Sequence, residues 1–312
     1  MTIEKRTLGR NGPSVSALGL GCMGMSEFYG RADRDTALNT IAAALEAGIT
    51  LFDTGDFYGM GDNEVLLAEA LQGKRDRAFI QVKTGALRAP DGAFIGLDTR
   101  PAVLKNALAY SLRRLKTDYV DLYQVGLDPN VPIEETIGAI GELVRQGYVR
   151  HLGLTNVDAD TVRRGHATHP LTALQLEYSL MARDIEHAVL PVCRELGIGI
   201  TAYGVLGRGL LTGSTGDGEG DVRQRYYARF QGENLTHNQV LADALAKAAQ
   251  TAGISSAQAA IAWVASQGED IVTLVGARTV ERLDEAMRSP LRLPTESLLA
   301  IEEAVPKGAV RQ

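Results

Sequence analysis

Short apolar runs and amphipathic stretches alternate along nearly the whole chain. Apolar runs at 17–23, 49–53, 78–83, 119–125, 149–154, 171–178, 198–203 and 271–275 read as strands. Between them, helical spacing runs over 34–47, where Ala37, Ile41, Ala44 and Leu45 share a face, and over 64–71, 101–115, 133–145, 158–164 and 185–196. Further helices are predicted at 238–252, 256–266 and 280–287, with an extra one at 297–305. Gly48, Gly73, Gly147 and Gly197 follow helical stretches as C-terminal caps, and Pro101 opens one. Ahead of the first run, residues 5–9 and an Asn11-Gly12-Pro13 turn predict a small hairpin.

Apolar strands between amphipathic helices imply a parallel sheet covered on both faces. Eight such units, with no Pro/Ser-rich linker between them, predict one α/β domain over residues 1–312. It is a closed (β/α)8 TIM barrel with an N-terminal β-hairpin and extra C-terminal helices. An open doubly wound sheet would carry Gly-x-Gly-x-x-Gly after its first strand. Residues 19–24 fit that pattern formally, but 26–31 read as a loop and no helix starts there.

Composition narrows the function classes. Apolar residues make up 45% and charged residues 22% of 312, an ordinary globular balance. A net charge of −6 argues against nucleic acid or an anionic membrane as partner. Cys22 and Cys193 stand far apart with no metal-ligand spacing, so they read as inert thiols of a cytoplasmic protein and no metal is expected. The N-terminus lacks the apolar core of a signal peptide, and no run is long enough to span a bilayer.

In such a barrel, chemistry gathers at the C-terminal ends of the strands. Strand two ends in Asp53 followed by Thr54-Gly55-Asp56-Phe57-Tyr58-Gly59, strand three in Lys83, strand four in Gly126. Taken singly, the Asp reads as a cap, the Lys as a solvated charge and the Tyr as packing. At successive strand ends they read as a catalytic set. A nearby ammonium would lower the phenol's pKa from about 10, and Asp53 would hold Lys83 charged and oriented. Tyr58 would then protonate a carbonyl oxygen as hydride reaches its carbon.

Residues 52–59 with Asn63-Glu64, Val82-Lys83-Thr84, Gly153-Leu154-Thr155-Asn156 and the run 202–213 together resemble the aldo-keto reductases. Residues 229–234 are similar to a loop in the branch that holds plant perakine reductase and many bacterial relatives. The resemblance spans nearly the whole chain in order. It implies an NADPH-dependent carbonyl reductase with an Asp/Tyr/Lys/His tetrad. Three members map to Asp53, Tyr58 and Lys83; the fourth maps to Gly126, and the usual following Arg to Leu127. His151, early in strand five, is no replacement. Losing such a donor can cost on the order of 10²–10³ in rate. Three outcomes stay open: water fills in, a bulkier or differently placed acceptor enters the larger pocket, or catalysis is crippled.

The resemblance implies further that Thr155, Asn156 and Gln175 hold the nicotinamide carboxamide and that Tyr203 stacks on the ring. Backbone at Gly204, Leu206, Gly209 and Leu211 would cradle phosphate, and Gly276, Arg278, Arg282 and Glu285 would take the adenine end. Arg278 and Arg282, one turn apart at a helix start, favour a 2′-phosphate and so NADPH. Ala286 stands where the family often has Asn. Residues 214–238, with Arg225, Tyr226, Tyr227 and Phe230, are expected to form a long mobile lid. Phe28, Tyr29, Phe57 and Leu127 would wall an apolar substrate pocket with Gly126 at its floor, suiting a hydrophobic or aromatic small-molecule carbonyl. The alternative is an NADPH-binding regulatory or sensor protein with little or no turnover, motivated by the missing His.

Overall fold

An antiparallel hairpin of β1 (Lys5–Thr7) and β2 (Ser14–Ser16) starts the fold, as the Asn11-Gly12-Pro13 turn predicts. The computed structural model describes residues 3–30 and 32–312. Met1, Thr2 and Arg31, the last position of the loop expected at 26–31, lie outside the described residues.

The barrel strands are β3 (Leu18–Gly21), β4 (Leu51–Gly55), β5 (Phe79–Thr84), and, after a second hairpin of β6 (Ala86–Arg88) and β7 (Phe94–Leu97), β8 (Val120–Val125), β9 (Val149–Thr155), β10 (Ala173–Glu177), β11 (Gly199–Tyr203) and β12 (Ile271–Val275). They close in the order β3-β4-β5-β8-β9-β10-β11-β12, all parallel. This is the (β/α)8 barrel read from the sequence. Helices α1 (Arg34–Glu46), α2 (Asp62–Ala70), α3 (Pro101–Leu115), α4 (Ile133–Arg145), α5 (Ala159–Thr168) and α6 (Val189–Leu196) alternate with the first strands. Between β11 and β12 lie α7 (Arg223–Tyr226), α8 (Gly232–Thr251) and α9 (Ser256–Ser266); α10 (Val280–Met287) and α11 (Thr295–Ala304) finish the chain.

Leu8 and Val15 of the hairpin plug the N-terminal end of the barrel against Leu51, Phe79, Leu122 and Leu274. Towards the C-terminal end the buried polar residues Asp53, Gln81, Lys83, Gln124, Gln175 and Thr201 take over. The division of the interior into an apolar plug and a polar mouth places the chemistry.

Several elements differ from the sequence reading. α6 starts at Val189, behind a 3-10 turn at Asp184–Glu186, instead of at 185. Pro191 lacks an N–H and is tolerated only in a first helical turn. α5 continues past Gly165 to Thr168, because a bare Gly165 lets the helix close on β9: a Cβ there would stand 3.2 Å from Leu154 Cδ1. α8 begins at Gly232, six residues ahead of the predicted 238, so the expected lid is shorter. Its buried Asn238 ties down the C-terminal tail, donating to Arg311 O (2.7 Å) and accepting from Arg311 N (2.9 Å). The β6–β7 hairpin was not expected. No helix among the described residues is long and apolar enough to cross a membrane.

Candidate active site

Asp53 is the hub of the polar mouth. Lys83 Nζ donates to both carboxylate oxygens, at 2.6 and 2.7 Å, and the side-chain amides of Gln81 and Gln175 each donate to Oδ1 at 2.7 Å. The pairing of β4 with β5 brings these groups together, with Asp53 opposite Gln81 and Gly55 opposite Lys83. Burial pulls Lys83 below the ordinary lysine range, and the Asp53 charge acts against that shift.

Tyr58 follows β4 in a tight turn whose Met60 takes a left-handed backbone (φ 54°). Its ring meets Phe57 edge-on at 4.9 Å, and Lys83 Nζ lies 4.9 Å from its centroid. The phenol is 6% exposed. Burial, and then the Asp53 charge, holds its pKa well above the ordinary tyrosine value. The sequence reading expected Lys83 to lower it. Desolvation accounts for most of the difference, and Asp53 adds its own repulsion while pairing with the ammonium at contact distance.

The turn bearing Tyr58 is pinned on both sides. Asp56 N donates to Lys83 O (2.9 Å), and Thr84 Oγ1 donates to Asp56 Oδ2 (2.6 Å). Thr54 Oγ1 donates to Asn63 Oδ1 (2.7 Å), and Asn63 Nδ2 donates to Cys22 O and Ser26 Oγ. Behind the turn, Glu64 on α2 pairs with Arg114 on α3.

Burial pushes the Asp56 carboxyl up to about 7, with Glu64 reinforcing the shift and Thr84 and Arg114 opposing it. The folded chain therefore holds this proton more tightly than the unfolded chain, where the value is 3.8. The resulting stabilisation is full below about pH 4 and is lost as pH rises through 7. Asp56→Asn, which still accepts from Thr84, should melt with the parent at about pH 4. At pH 8.5 it should melt roughly 2–8 °C higher. Equal offsets at both pH values in paired thermal melts would reject the assignment.

Gly126 follows β8 directly, beside the Lys83 strand. A Cβ built there meets only Thr155 O at 3.7 Å and Leu97 Cδ1 at 4.0 Å, so the space where a side chain would stand is open. Leu127 packs partly buried against the core. His151 lies at the other end of the barrel interior, near Thr172 (3.4 Å) and the Phe79 ring.

The residues expected to face a cofactor fall into two groups. At the ends of β9, β10 and β11, Thr155 Oγ1 is buried without a partner, and Tyr203 OH donates to Asn156 Oδ1 (3.0 Å). The Gln175 amide nitrogen is engaged by Asp53. In the following turn, the N–H groups of Gly209 and Leu211 close internally on Leu206 O, while none from Gly204 or Leu206 does. At the other end, Arg278 precedes α10 and Arg282 lies in its first turn. Among the described residues, neither guanidinium has a carboxylate in ion-pair range. Burial, then Arg282 and Arg223, lower the Arg278 pKa, and Asp221 and Tyr29 act against that shift. Gly276 directly follows β12, and Glu285 accepts from Ser255 Oγ (2.6 Å), bracing α10 on α9.

The expected lid is a strap pinned at several points. Val222 N donates to Phe28 O, Tyr29 bridges Asp221, and Arg278 Nη1 donates to Tyr29 O (2.9 Å). Phe28 stacks on Tyr226 at 6.3 Å, so Phe28 and Tyr29 are held under the strap, whereas Phe57 sits beside Tyr58. Glu177 takes both Arg208 (2.8 Å) and Arg229 (2.6 Å), and Arg223 pairs with Asp221. Gln81, Asp56, Glu177 and Leu97 escaped the sequence reading. For Gln81 the available signal was its position two before Lys83, hence on the same inward face.

Residues 17–306 match the description "Aldo/keto reductase family". A relative described as probable aldo-keto reductase 1, from Glycine max, is 40% identical over 321 aligned residues, covering 99% of this chain and 90% of its own length. A glycerol dehydrogenase from Gluconobacter oxydans superposes with a TM-score of 0.88 at 27% identity, covering 100% of this chain and 98% of its own. An aldo/keto reductase from Klebsiella pneumoniae, solved with NADP and acetate, superposes at 0.76 with 25% identity, covering 97% and 96%.

Proposed function

This chain belongs to the aldo/keto reductase family, and from that premise we propose that it reduces an aldehyde or ketone to the alcohol with NADPH. The observation that carries the reading is the buried set of Asp53, Lys83 and Tyr58 at the barrel mouth. Bound NADPH supplies the hydride, from C4 of the nicotinamide to the carbonyl carbon. Tyr58 is the general acid: its buried phenol keeps its proton throughout the neutral range and gives it to the carbonyl oxygen as negative charge builds there. Solvent then reprotonates the phenolate. Lys83 stabilises that developing charge, and Asp53, fixed by Gln81 and Gln175, holds the ammonium in place.

The chain's residues fit the cofactor. Unpartnered Thr155 Oγ1 and the Asn156 side chain suit a carboxamide, and the Tyr203 ring suits a flat heterocycle. Arg278 and Arg282 at the α10 start suit the 2′-phosphate that distinguishes NADPH. Gly204 and Leu206 remain the backbone donors for phosphate. We read residues 1–312 as one catalytic domain acting on a hydrophobic carbonyl.

Gly126 favours a second reading, a cofactor-binding sensor. One assay separates the two: cofactor consumption at neutral pH over a panel of activated aldehydes, ketones and diketones, with product analysis. We expect turnover with NADPH to exceed that with NADH by at least about tenfold, a difference of roughly 1.4 kcal/mol. Tight NADPH binding, read by fluorescence, with no product from any carbonyl would replace the reductase reading with the sensor.

A further inference from the structure

The turn that carries Tyr58 is built against its own backbone preference. Gly59 (φ 53°, ψ 33°) and Met60 (φ 54°, ψ 34°) follow the phenol as two consecutive left-handed residues, a conformation that a side chain such as methionine disfavours. Such a pair persists only where its surroundings hold it. The Asp56–Thr84 and Thr54–Asn63 contacts hold it from β5 and from α2. Two segments outside the barrel strands hold it as well: the loop after β3 and the β6–β7 hairpin.

Ser26 backs Gly59 so closely that a Cβ on Gly59 would stand 3.0 Å from Ser26 Cβ. The next residue, Glu27, turns its carboxylate to the same place. Burial raises its pKa, while Arg88 and the Gly59 N–H stabilise its charge. Arg88 of β6 donates Nη2 to Glu27 Oε1 at 2.7 Å and Nη1 to Gly92 O at 3.0 Å, so one guanidinium ties the hairpin turn to the carboxylate. Its Cζ lies 5.8 Å from the Phe57 ring, which packs edge-on against Tyr58. At the hairpin tip, a Cβ on Gly92 would stand 3.8 Å from Met60 Sδ. The Arg88 and Glu27 side chains are 21% and 24% exposed, so their pair is better shielded than one on the open surface.

We propose that Glu27, clamped by Arg88 of the hairpin, is a positioning residue that holds the left-handed turn behind Tyr58 and so fixes where the phenol delivers its proton. This rests on the reductase reading and deepens it. Glu27 acts through Gly59, not on the substrate. The hairpin then has a task, because Arg88 and Gly92 brace the turn from outside the barrel. A phenol displaced by about 1 Å can lose on the order of 10²-fold in rate with its acidity intact.

The test measures kcat, KM and NADPH affinity in the full chain, with the most active carbonyl of the panel above. Glu27→Ala removes the acceptor, and kcat should fall at least about tenfold while the NADPH dissociation constant, read by fluorescence, stays within about threefold of the parent. Glu27→Gln keeps an oxygen for the Gly59 N–H and for Arg88, and should bring kcat back to within about threefold of the parent. Arg88→Met keeps the stem and drops the clamp, so kcat should fall at least about threefold. The double variant should be no worse than Glu27→Ala, because the two residues act through one contact. Thermal melts check that each variant is folded, and the near-isosteric Glu27→Gln guards against a misfolded alanine variant. Parental kcat in Glu27→Ala, equal losses in Glu27→Ala and Glu27→Gln, or a loss of NADPH affinity that matches the loss of kcat overturns the assignment and spares the reductase reading. Product from no carbonyl with the parent chain takes down both.

Discussion

Tyr58→Phe should lower kcat by about 10²–10⁴-fold while leaving the NADPH dissociation constant within about threefold of the parent. The change is conservative in everything except the proton. The ring packs edge-on against Phe57, and Lys83 stands over its face; both contacts survive in phenylalanine. Only 6% exposed, the phenol is held well above its ordinary pKa by desolvation and by Asp53. It therefore carries its proton throughout the neutral range. Its loss removes the assigned general acid, and Gly126 offers no side chain to replace it.

The pH profile sharpens the test. A general acid with a raised pKa loses its proton only at high pH and gives no alkaline limb in the neutral range, so parent kcat should stay flat from pH 6 to 8 apart from any effect of Asp56. A residual rate in Tyr58→Phe that is pH-independent and at least about a hundredfold lower fits this picture. A variant that keeps more than a tenth of parental turnover would falsify the assignment of Tyr58.

Much of this site can be read along the chain because its members sit at strand ends, where period and polarity change together. Asp53 and Lys83 are each a charged residue inside an apolar run, and Gly126 ends a third. Position around the barrel then follows from strand order. What the chain does not display is the charge balance once the groups are buried. The sequence suggests that Lys83 acidifies Tyr58. The structure sets Asp53 2.6 Å from the ammonium and leaves the phenol dominated by desolvation.

The β6–β7 hairpin is a different kind of miss. Pro90-Asp91-Gly92 between apolar pairs is a turn signal with a clear mechanism. It was hidden because strand-length runs of three or four residues fall below the spacing that marked the barrel. The strap shows the reverse: a Gly-rich, charged segment reads as loose, yet Arg223 pairs with Asp221 two residues away, and Arg208 and Arg229 find Glu177 only in three dimensions.

Removing Asp53 should do more harm than its place in catalysis alone explains. Asp53→Ala strands a buried ammonium and takes the acceptor from Gln81 and Gln175 together. Breaking a buried ion pair from one side costs about 3–5 kcal/mol. Lys83, already depressed by burial, loses the main charge that opposed the shift, so its folded-state pKa falls further below 10.5. The unfolded chain then binds the extra proton over the interval between the two values. Stability of the variant accordingly rises with pH across that window, and urea midpoints should show the deficit shrinking from pH 7 to pH 9.5.

The double change Asp53→Leu with Lys83→Met separates fold from function. Replacing both partners with apolar groups of similar size is often neutral or stabilising. The double variant should regain at least about 2 kcal/mol over Asp53→Ala and still show no recovery of turnover. Recovery of stability with activity would mean that Lys83 plays no part in proton transfer. Failure to recover stability would mean that the glutamine amides, and not the stranded charge, set the cost of losing Asp53.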